Sequence, residues 1–308
     1  MTSRTIAIYY EHPDWFQPLF AELDARRIDY VKLKASCLSY DPAAERVNFS
    51  LFVNRMSASA YLRGNGQGIF FTHSYLTHLE ECGVRVINGS RAFALETSKA
   101  LQLRLLHSLG LPFPNTRVVN CADEILVASS QLGFPLLVKP NIGGRGAGIA
   151  RFDSPQQLRA SIEQGKLELG IDQVALVQEL VPLRDGHITR VETLGGKFLY
   201  AIDVFTSGED FNLCPAEICR NETDSPAVGL RVQACTPPRD VIHAVEKIVA
   251  HAGIDAGSVE YLTDDRDGRA VFYDINALSN FVAEAPRVIG FDPHGRLVDY
   301  LERQQETQ

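Results

Sequence analysis

No stretch of the 308 residues approaches the roughly 18 consecutive apolar positions that a membrane-spanning helix needs. The apolar-rich run from Ile125 to Val138, ILVASSQLGFPLLV, is shorter and contains Ser, Gln and Pro. Positive charge is in deficit too. Thirty Lys and Arg face 38 Asp and Glu, a formal net charge of −8. That balance argues against nucleic acid as a partner, since such binding needs clustered Lys and Arg. No apolar leader opens the sequence: MTSRTIAIYYEHPDW runs straight into a strand pattern, which predicts a cytoplasmic protein. The six cysteines (Cys37, Cys82, Cys121, Cys214, Cys219 and Cys235) are scattered. Cys214 and Cys219, in CPAEIC, lack two further ligands at a zinc spacing, so reduced thiols are expected. Internal repeats and low-complexity tracts are absent.

Hydrophobic residues make up 45% of the chain, enough for a sizeable core divided among two or three subdomains. Strands and helices alternate over the first 90 or so residues. TIAIYY, DYVKL, RVNFSLFVNR and VRVING read as strands, WFQPLFAELDAR and YLTHLEECG as helices, which predicts a small parallel α/β domain. RAFALETSKALQLRLLHSLG reads as one long helix, with Leu101, Leu105, Leu106 and Leu109 as its buried stripe and Gly110 as its stop. A second region holds a strand from LPFPNTRVV, a helix near Asp123 to Ser130, and the strands PLLVKP, IARF and VALVQELV. Its helix SPQQLRASIEQG has Ser154 as N-cap and Pro155 in the first turn. A third region opens with HITRVETL and KFLYAIDVF joined by Gly195 and Gly196, a hairpin signal. The amphipathic helix PRDVIHAVEKIVAHAG, the strands SVEYLT and AVFYDINA, and the helix RLVDYLER follow. Boundaries near residues 92 and 180 divide the chain into 1–92, 93–180 and 181–308.

The segment LVKPNIGGRGAGIA concentrates glycine after an apolar strand and a lysine. A dinucleotide fingerprint would turn straight from strand into helix, and GGRGAG lies between two strand-like runs instead. A Walker loop would place Lys-Ser/Thr after the last glycine, where Ile149 follows Gly148. Two readings stay open from the loop alone: a hairpin tip, or a flexible flap whose backbone N–H groups face phosphate oxygens.

The order of features resembles the ATP-grasp superfamily, and within it the branch of the ribosomal-protein glutamate ligase RimK and glutathione synthase. The matching residues run from about Ile87 to the end. ETSKALQLRLLHSLGLPFP resembles the helix carrying the first ATP lysine, Lys99, and FPLLVKPNIGGRGAGI resembles the strand with the second, Lys139, and the glycine loop with Gly143, Gly144 and Gly146. LVQELV looks like the adenine hinge, with Gln178, Glu179, Leu180 and Val181. ITRVETLGGKFLYAI resembles the strand pair whose arginine, Arg190, faces the reacting groups, and DFNLCP places Asn212 near the phosphates. SVEYL and FYDINA match the metal-binding strands, giving Glu260, Asp274 and Asn276. The resemblance implies an α/β (α+β) ATP-grasp fold with an N-terminal parallel domain, a central subdomain bearing the glycine loop and a C-terminal subdomain bearing the metal site. It also implies a carboxylate–amine ligase that uses ATP and Mg²⁺ (or Mn²⁺) on small-molecule acid and amine substrates. Two departures stand out. Ile188 occupies the position of a ribose-binding Asp, which leaves two alternatives: Asp185 or His187 substitutes, or the contact is absent. ALSNF, Ala277–Phe281, replaces a Ser-Pro-Gly run near the acceptor, so glutamate is not implied as the amine.

The chemistry fits these residues. ATP-driven amide formation gathers triphosphate, substrate carboxylate and an oxyanion into one pocket, and cations and closure do most of the work. Lys99 and Lys139 would neutralise phosphate charge and Arg190 would hold an acyl phosphate through its fork. Each residue also has a plainer reading: Lys99 as a solvated helix residue, Arg190 in a surface pair with Glu192, Asn212 as a turn residue. In SVEYLTDDRDGRAVFYDINA, a three-residue loop Arg266-Asp267-Gly268 sets Glu260 directly opposite Asp274 with Asn276 on the same face. Opposed carboxylates repel, so a cation is expected between them. Arg55 or Arg63, after the strand ending Asn54-Arg55, could hold an anionic group of the substrate. Two other function classes stay open: a nucleotide-binding regulatory subunit and a dinucleotide oxidoreductase. A homodimer is the base-rate oligomer.

Overall fold

The computed structural model describes residues 5–167, 169–205 and 231–306. Strands β1 (Ile6–Tyr10), β2 (Tyr30–Lys34), β3 (Leu51–Arg55) and β4 (Arg85–Ile87) form a parallel sheet in the order β2-β1-β3-β4. Helices α1 (Gln17–Ala25) and α2 (Gly66–Glu81) cover it, with a 3-10 turn over Ala58–Arg63 leading into α2. β1 and β3 are buried along their whole length, as strands covered on both faces must be. The expected parallel α/β domain is therefore present, although α2 begins well before the YLTHLEECG segment that marks it in the sequence.

The single long helix expected after β4 is two helices, α3 (Ser90–Glu96) and α4 (Lys99–Ser108). Ser98 is extended (φ −151°, ψ 101°), and its hydroxyl caps α4 by accepting from the Leu101 N–H. Thr97 turns its hydroxyl back onto the Phe93 carbonyl at 2.8 Å. Local side-chain bonds of this kind compete with helical ones, and the break falls at these two consecutive hydroxyl residues. The break rotates α4, so its buried residues are Gln102, Leu103 and Leu106, while Leu101 is 48% exposed.

Strands β5 (Thr116–Val119), β6 (Leu136–Pro140), β7 (Ala150–Phe152) and β8 (Ala175–Glu179) form an antiparallel sheet ordered β5-β8-β6-β7. Helices α5 (Ala122–Leu132) and α6 (Pro155–Glu163) pack on it, and Ser154 caps α6 through the Gln157 N–H as its position suggests. β6 and β7 pair antiparallel, so the glycine loop joins the strands of a hairpin.

The third sheet is antiparallel and ordered β11-β10-β9-β12-β13, from β9 (His187–Leu194), β10 (Lys197–Phe205), β11 (Arg231–Cys235), β12 (Ala256–Thr263) and β13 (Ala270–Asn276). Gly195 and Gly196 turn β9 into β10 with positive φ at both. Helix α7 (Arg239–Ala252) buries Val241, Val245, Ile248 and Val249 in a core shared with α3, α4 and this sheet. Helices α8 (Ala285–Ile289) and α9 (Pro293–Glu306) return the chain to the N-terminal sheet. Arg26, the C-cap of α1, bonds Asp299 and Glu302 of α9, and one apolar cluster runs from Ile6 and Leu19 to Ile202 and Leu301. Among the described residues, no helix is long and apolar enough to cross a membrane.

Candidate active site

A cleft lies between the β5–β8 sheet and the five-stranded sheet, and the N-terminal domain closes one end of it. The five-stranded sheet contributes a row of charges. Arg190 on β9 sits opposite Glu260 on β12, which sits opposite Asp274 on β13. The next row on that face is Glu192, Ser258 and Asn276.

The expected Glu260–Asp274 pairing is present, reached by a different path. Thr263 pairs with Ala270, so the turn is longer than the three-residue loop read from the sequence. The register then shifts between Glu260 and Tyr261, where Tyr273 is the extra residue of a bulge. The two deviations cancel at Asp274. The bulge also turns Tyr273 into the cleft, where its hydroxyl donates to Glu260 Oε2 at 2.8 Å.

Cations already meet these carboxylates. Arg190 Nη1 donates to Glu260 Oε1 at 3.0 Å, its Nε to Glu192 Oε1 at 2.8 Å and its Nη2 to Ser279 Oγ at 2.7 Å. The Arg190–Glu192 pair weighed as a surface pair thus exists, but it is buried inside the site, and it raises the arginine pKa. Lys99, the first residue of α4, contacts Asp274 directly, so it is no solvated helix residue. Burial pushes the Glu260 carboxyl up despite Arg190, whereas Lys99 holds Asp274 low despite burial. Lys139 enters the cleft from β6; burial, with Lys99 nearby, brings its pKa down to about 7.

Gly143, Gly144 and Gly146 line the cleft beside Lys139. Gly146 and Gly148 hold positive φ, and a Cβ on Gly148 would lie 2.7 Å from Pro140 Cγ. A Cβ on Gly144 would come within 3.3 Å of Ser59 Cβ, so here close approach to the N-terminal domain matters more than dihedral freedom. Gln178, Glu179, Leu180 and Val181 line the cleft with Leu137, Ile149, Ile188 and Leu262, which form an apolar slot. The Glu179 and Leu180 N–H groups donate to Asn115 O and Pro135 O. The Val181 N–H has no partner among the described residues. Ile188 lines the slot, and neither Asp185 nor His187 does. Asn212 lies outside the described residues.

Side chains that the sequence does not single out complete the site. Glu96 accepts the Ala277 and Leu278 N–H groups at 2.6 and 3.1 Å, and burial raises its pKa to about 7. Ser279 joins Arg190 to Glu192. Asn141 accepts from Ala100 N and Ser98 Oγ, tying the end of β6 to the start of α4 and so Lys139 to Lys99. The donors of a hard divalent cation are present. Two carboxylates share a face with Asn276, whose buried Nδ2 has no partner among the described residues; turning that amide over would offer its oxygen.

The fold recurs in solved structures. The ATP-grasp ligase PsnB, with a phosphomimetic variant of its minimal precursor, Mg and ADP, aligns with a TM-score of 0.69 at 19% identity, over 99% of this chain and 99% of that one. The RimK domain ATP-grasp protein of Sphaerobacter thermophilus gives 0.68 at 19% identity, over 96% and 99%. The chain has the ATP-grasp fold. No family model matches it. The carbamoyl phosphate synthase large chain of Thermotoga sp. (strain RQ2) is 24% identical over 222 residues, 69% of this chain and 19% of the relative. The D-alanine–D-alanine ligase of Pseudomonas putida (strain GB-1) is 39% identical over 74 residues, 24% of this chain and 23% of the relative. The chain thus spans about a fifth of the length of the synthase relatives that it matches.

Proposed function

We propose that this protein is an ATP-dependent carboxylate–amine ligase, forming an amide through an acyl phosphate and releasing ADP and phosphate. The observation that carries this reading is the convergence of Lys99, Lys139 and Arg190 with Glu260 and Asp274 under a glycine loop, in one cleft with an apolar slot. A kinase would need the same phosphate cations. The buried arginine at the far end of the charge row, with Ser279 beside it, adds a second anion-binding position for an activated carboxyl.

The roles follow from position. The apolar slot and the Val181 N–H would take the base, and Lys99 and Lys139 the phosphates. Glu260, Asp274 and Asn276 would hold Mg²⁺ or Mn²⁺, which supplies charge neutralisation at the β- and γ-phosphates. Arg190 would orient the acceptor carboxylate for in-line transfer, then stabilise the oxyanion when the amine attacks. Closure of Gly143–Gly148 against Ser59 would exclude water from the acyl phosphate. Asn212 retains its proposed place near the phosphates, and division of the chain at residues 92 and 180 remains the proposed domain scheme. The test is magnesium-dependent ADP release across a matrix of acids and amines, with mass spectrometry of products. ADP release that needs both an acid and an amine supports the reading. Nucleotide turnover indifferent to both would replace it with a phosphatase or regulatory role.

A further inference from the structure

Among the described residues four carboxylates line the cleft, and three of them have a cation. Glu260 meets Arg190, Asp274 meets Lys99, and Glu179 meets Arg266 at 3.2 Å. Glu96, the last residue of α3, forms no ion pair among the described residues. It is partly exposed where it lines the cleft. Both of its hydrogen bonds, from the Ala277 and Leu278 N–H groups, go to Oε2. A carboxylate offers about four lone-pair positions, and Oε1 has no partner among the described residues.

The charge is poorly placed without a ligand. The C-terminal end of a helix carries negative partial charge, so a carboxylate there has the wrong sign. Burial disfavours its charged form, and Asp274 repels it more than Lys99 attracts it. The two arginines weighed from the sequence do not compensate it. Arg63 forks onto Glu11, while Arg55 donates to the Ser279 carbonyl and is drawn first to Glu192. A pocket so arranged gains when a cation enters it.

The segment Ala277–Ser279 places that cation. Its first two N–H groups hold Glu96, and the Ser279 hydroxyl holds Arg190. Glu96 is therefore held one residue along the backbone from the side chain assigned to the activated carboxyl. Among the described residues no cluster of three metal-ligating side chains forms, so Glu96 stands apart from Glu260 and Asp274 as a metal donor. An ammonium group, a compact cation with three donors, suits the open oxygen.

We infer that Glu96 binds the amine substrate as its ammonium cation, so that the substrate is a primary amine protonated at neutral pH. The inference rests on the ligase reading for the place of the amine.

The Ala277 and Leu278 amide protons bond to the Glu96 carboxylate, so their chemical shifts report on it directly. The full-length protein is saturated with Mg-ADP, to engage Glu260 and Asp274, and titrated with n-butylammonium, with neutral n-butanol as control. Both amide protons should shift with n-butylammonium, at a dissociation constant at least about tenfold below that of n-butanol. Glu96→Gln keeps an oxygen for the two N–H groups and turns an amide nitrogen toward the cleft, so it should abolish that preference. Unmoved amide shifts at tens of millimolar, equal binding of cation and alcohol, or a preference that survives Glu96→Gln overturns the subsite. Should Glu96→Gln fail to fold, the amide shifts of the unaltered protein decide alone. Turnover separates the subsite from the ligase reading. Hydroxylamine is largely uncharged in mildly alkaline buffer and captures an acyl phosphate as a hydroxamate without a cation site. With Mg-ATP and a panel of acids and primary amines, Glu96→Gln should lower amide formation at least about tenfold more than hydroxamate formation. An equal loss of both overturns the subsite. Amide shifts in a protein that forms no hydroxamate from any acid would sink the ligase reading and not the cation site.

Discussion

Lys139 combines two requirements that oppose each other. A phosphate site needs its charge, yet burial lowers its pKa to about 7. Its folded-state pKa therefore lies below the ordinary lysine value. The penalty on folding is fully present below pH ~7, where both states are protonated, and it fades as pH rises toward ~10. Unfolding temperature without nucleotide should accordingly climb between pH 7 and 10. In Lys139→Met that climb should flatten, with stability at pH 7 held or raised; a climb of unchanged slope would show that Lys139 is not its source. The same variant should lose about 1.5–3 kcal/mol of ADP or ATP affinity, since a charge-assisted contact is removed, and full retention of affinity would detach this strand from the nucleotide. The carboxylates behave otherwise. The sequence suggests two repelling carboxylates that need a cation between them. In the structure Asp274 is held by Lys99 and Glu260 by Arg190 and Tyr273. Asp274→Asn should therefore cost about 1.5–3 kcal/mol of stability by equilibrium denaturation as well as turnover, because it strips Lys99 of its counter-charge. A variant that loses turnover but gains stability would mean that the Lys99 contact contributes nothing to the fold.

The glycine loop allows a prediction by rank at the level of the element. Gly148→Ala should be most damaging to stability, since φ is +73° and the new Cβ would lie 2.7 Å from Pro140 Cγ. Gly144→Ala meets only Ser59 at 3.3 Å, so it should spare stability and slow turnover by obstructing closure. Gly143→Ala finds ordinary contacts at 3.8 Å and should be nearly silent. Thermal denaturation and steady-state rates on the three variants check the order, and a silent Gly148→Ala would refute it. The elements also differ in how far the sequence alone makes them legible. The strands flanking the loop, Ser154 as a cap and the Gly195-Gly196 turn follow from local chemistry, which a sequence carries in neighbouring residues. The α3–α4 break is written in Thr97-Ser98, but the leucine periodicity running through it masks two ordinary cap hydroxyls. The Tyr273 bulge has no local signature, because it is imposed by pairing with β12 on a partner strand. Glu96, Asn141 and Ser279 leave no local signature for the same reason: each acts on residues remote in sequence, such as Glu96 on Ala277. Lys99, Lys139, Arg190, Glu260 and Asp274 are legible as a set, since their order along the chain carries the resemblance that no single one could.

The described residues form three sheets, yet their cores are not three independent units. One apolar cluster joins Ile6, Leu19 and Leu51 of the N-terminal domain to Ile202, Val271 and Leu301 of the C-terminal region. Asn88 strengthens that join: its Nδ2 donates to the Ala256 and Ala277 carbonyls and its Oδ1 accepts from the Asp255 and Ala256 N–H groups. The β5–β8 sheet differs, since Val119, Ile125, Leu136, Val138 and Leu158 close a core of their own. Unfolding free energy should therefore be distributed in two parts. Amides of β1, β9 and β12 should exchange hydrogen together at the slowest rate, while those of β6 and β8 exchange through a separate, less costly opening. Nucleotide would bind between the β5–β8 sheet and the five-stranded sheet, so Mg-ADP should protect β6 and β8 most, by about 2.7 kcal/mol at a hundredfold excess over its dissociation constant. Asn88→Ala leaves buried N–H and carbonyl groups without partners, and it should speed exchange in β1 and β12 while sparing β6. Native-state exchange read by mass spectrometry separates these outcomes. Uniform protection across all three sheets, or an Asn88→Ala effect centred on β6, would mean that the molecule opens as one body, and the closing motion assigned to the glycine loop and its sheet would lose its physical basis.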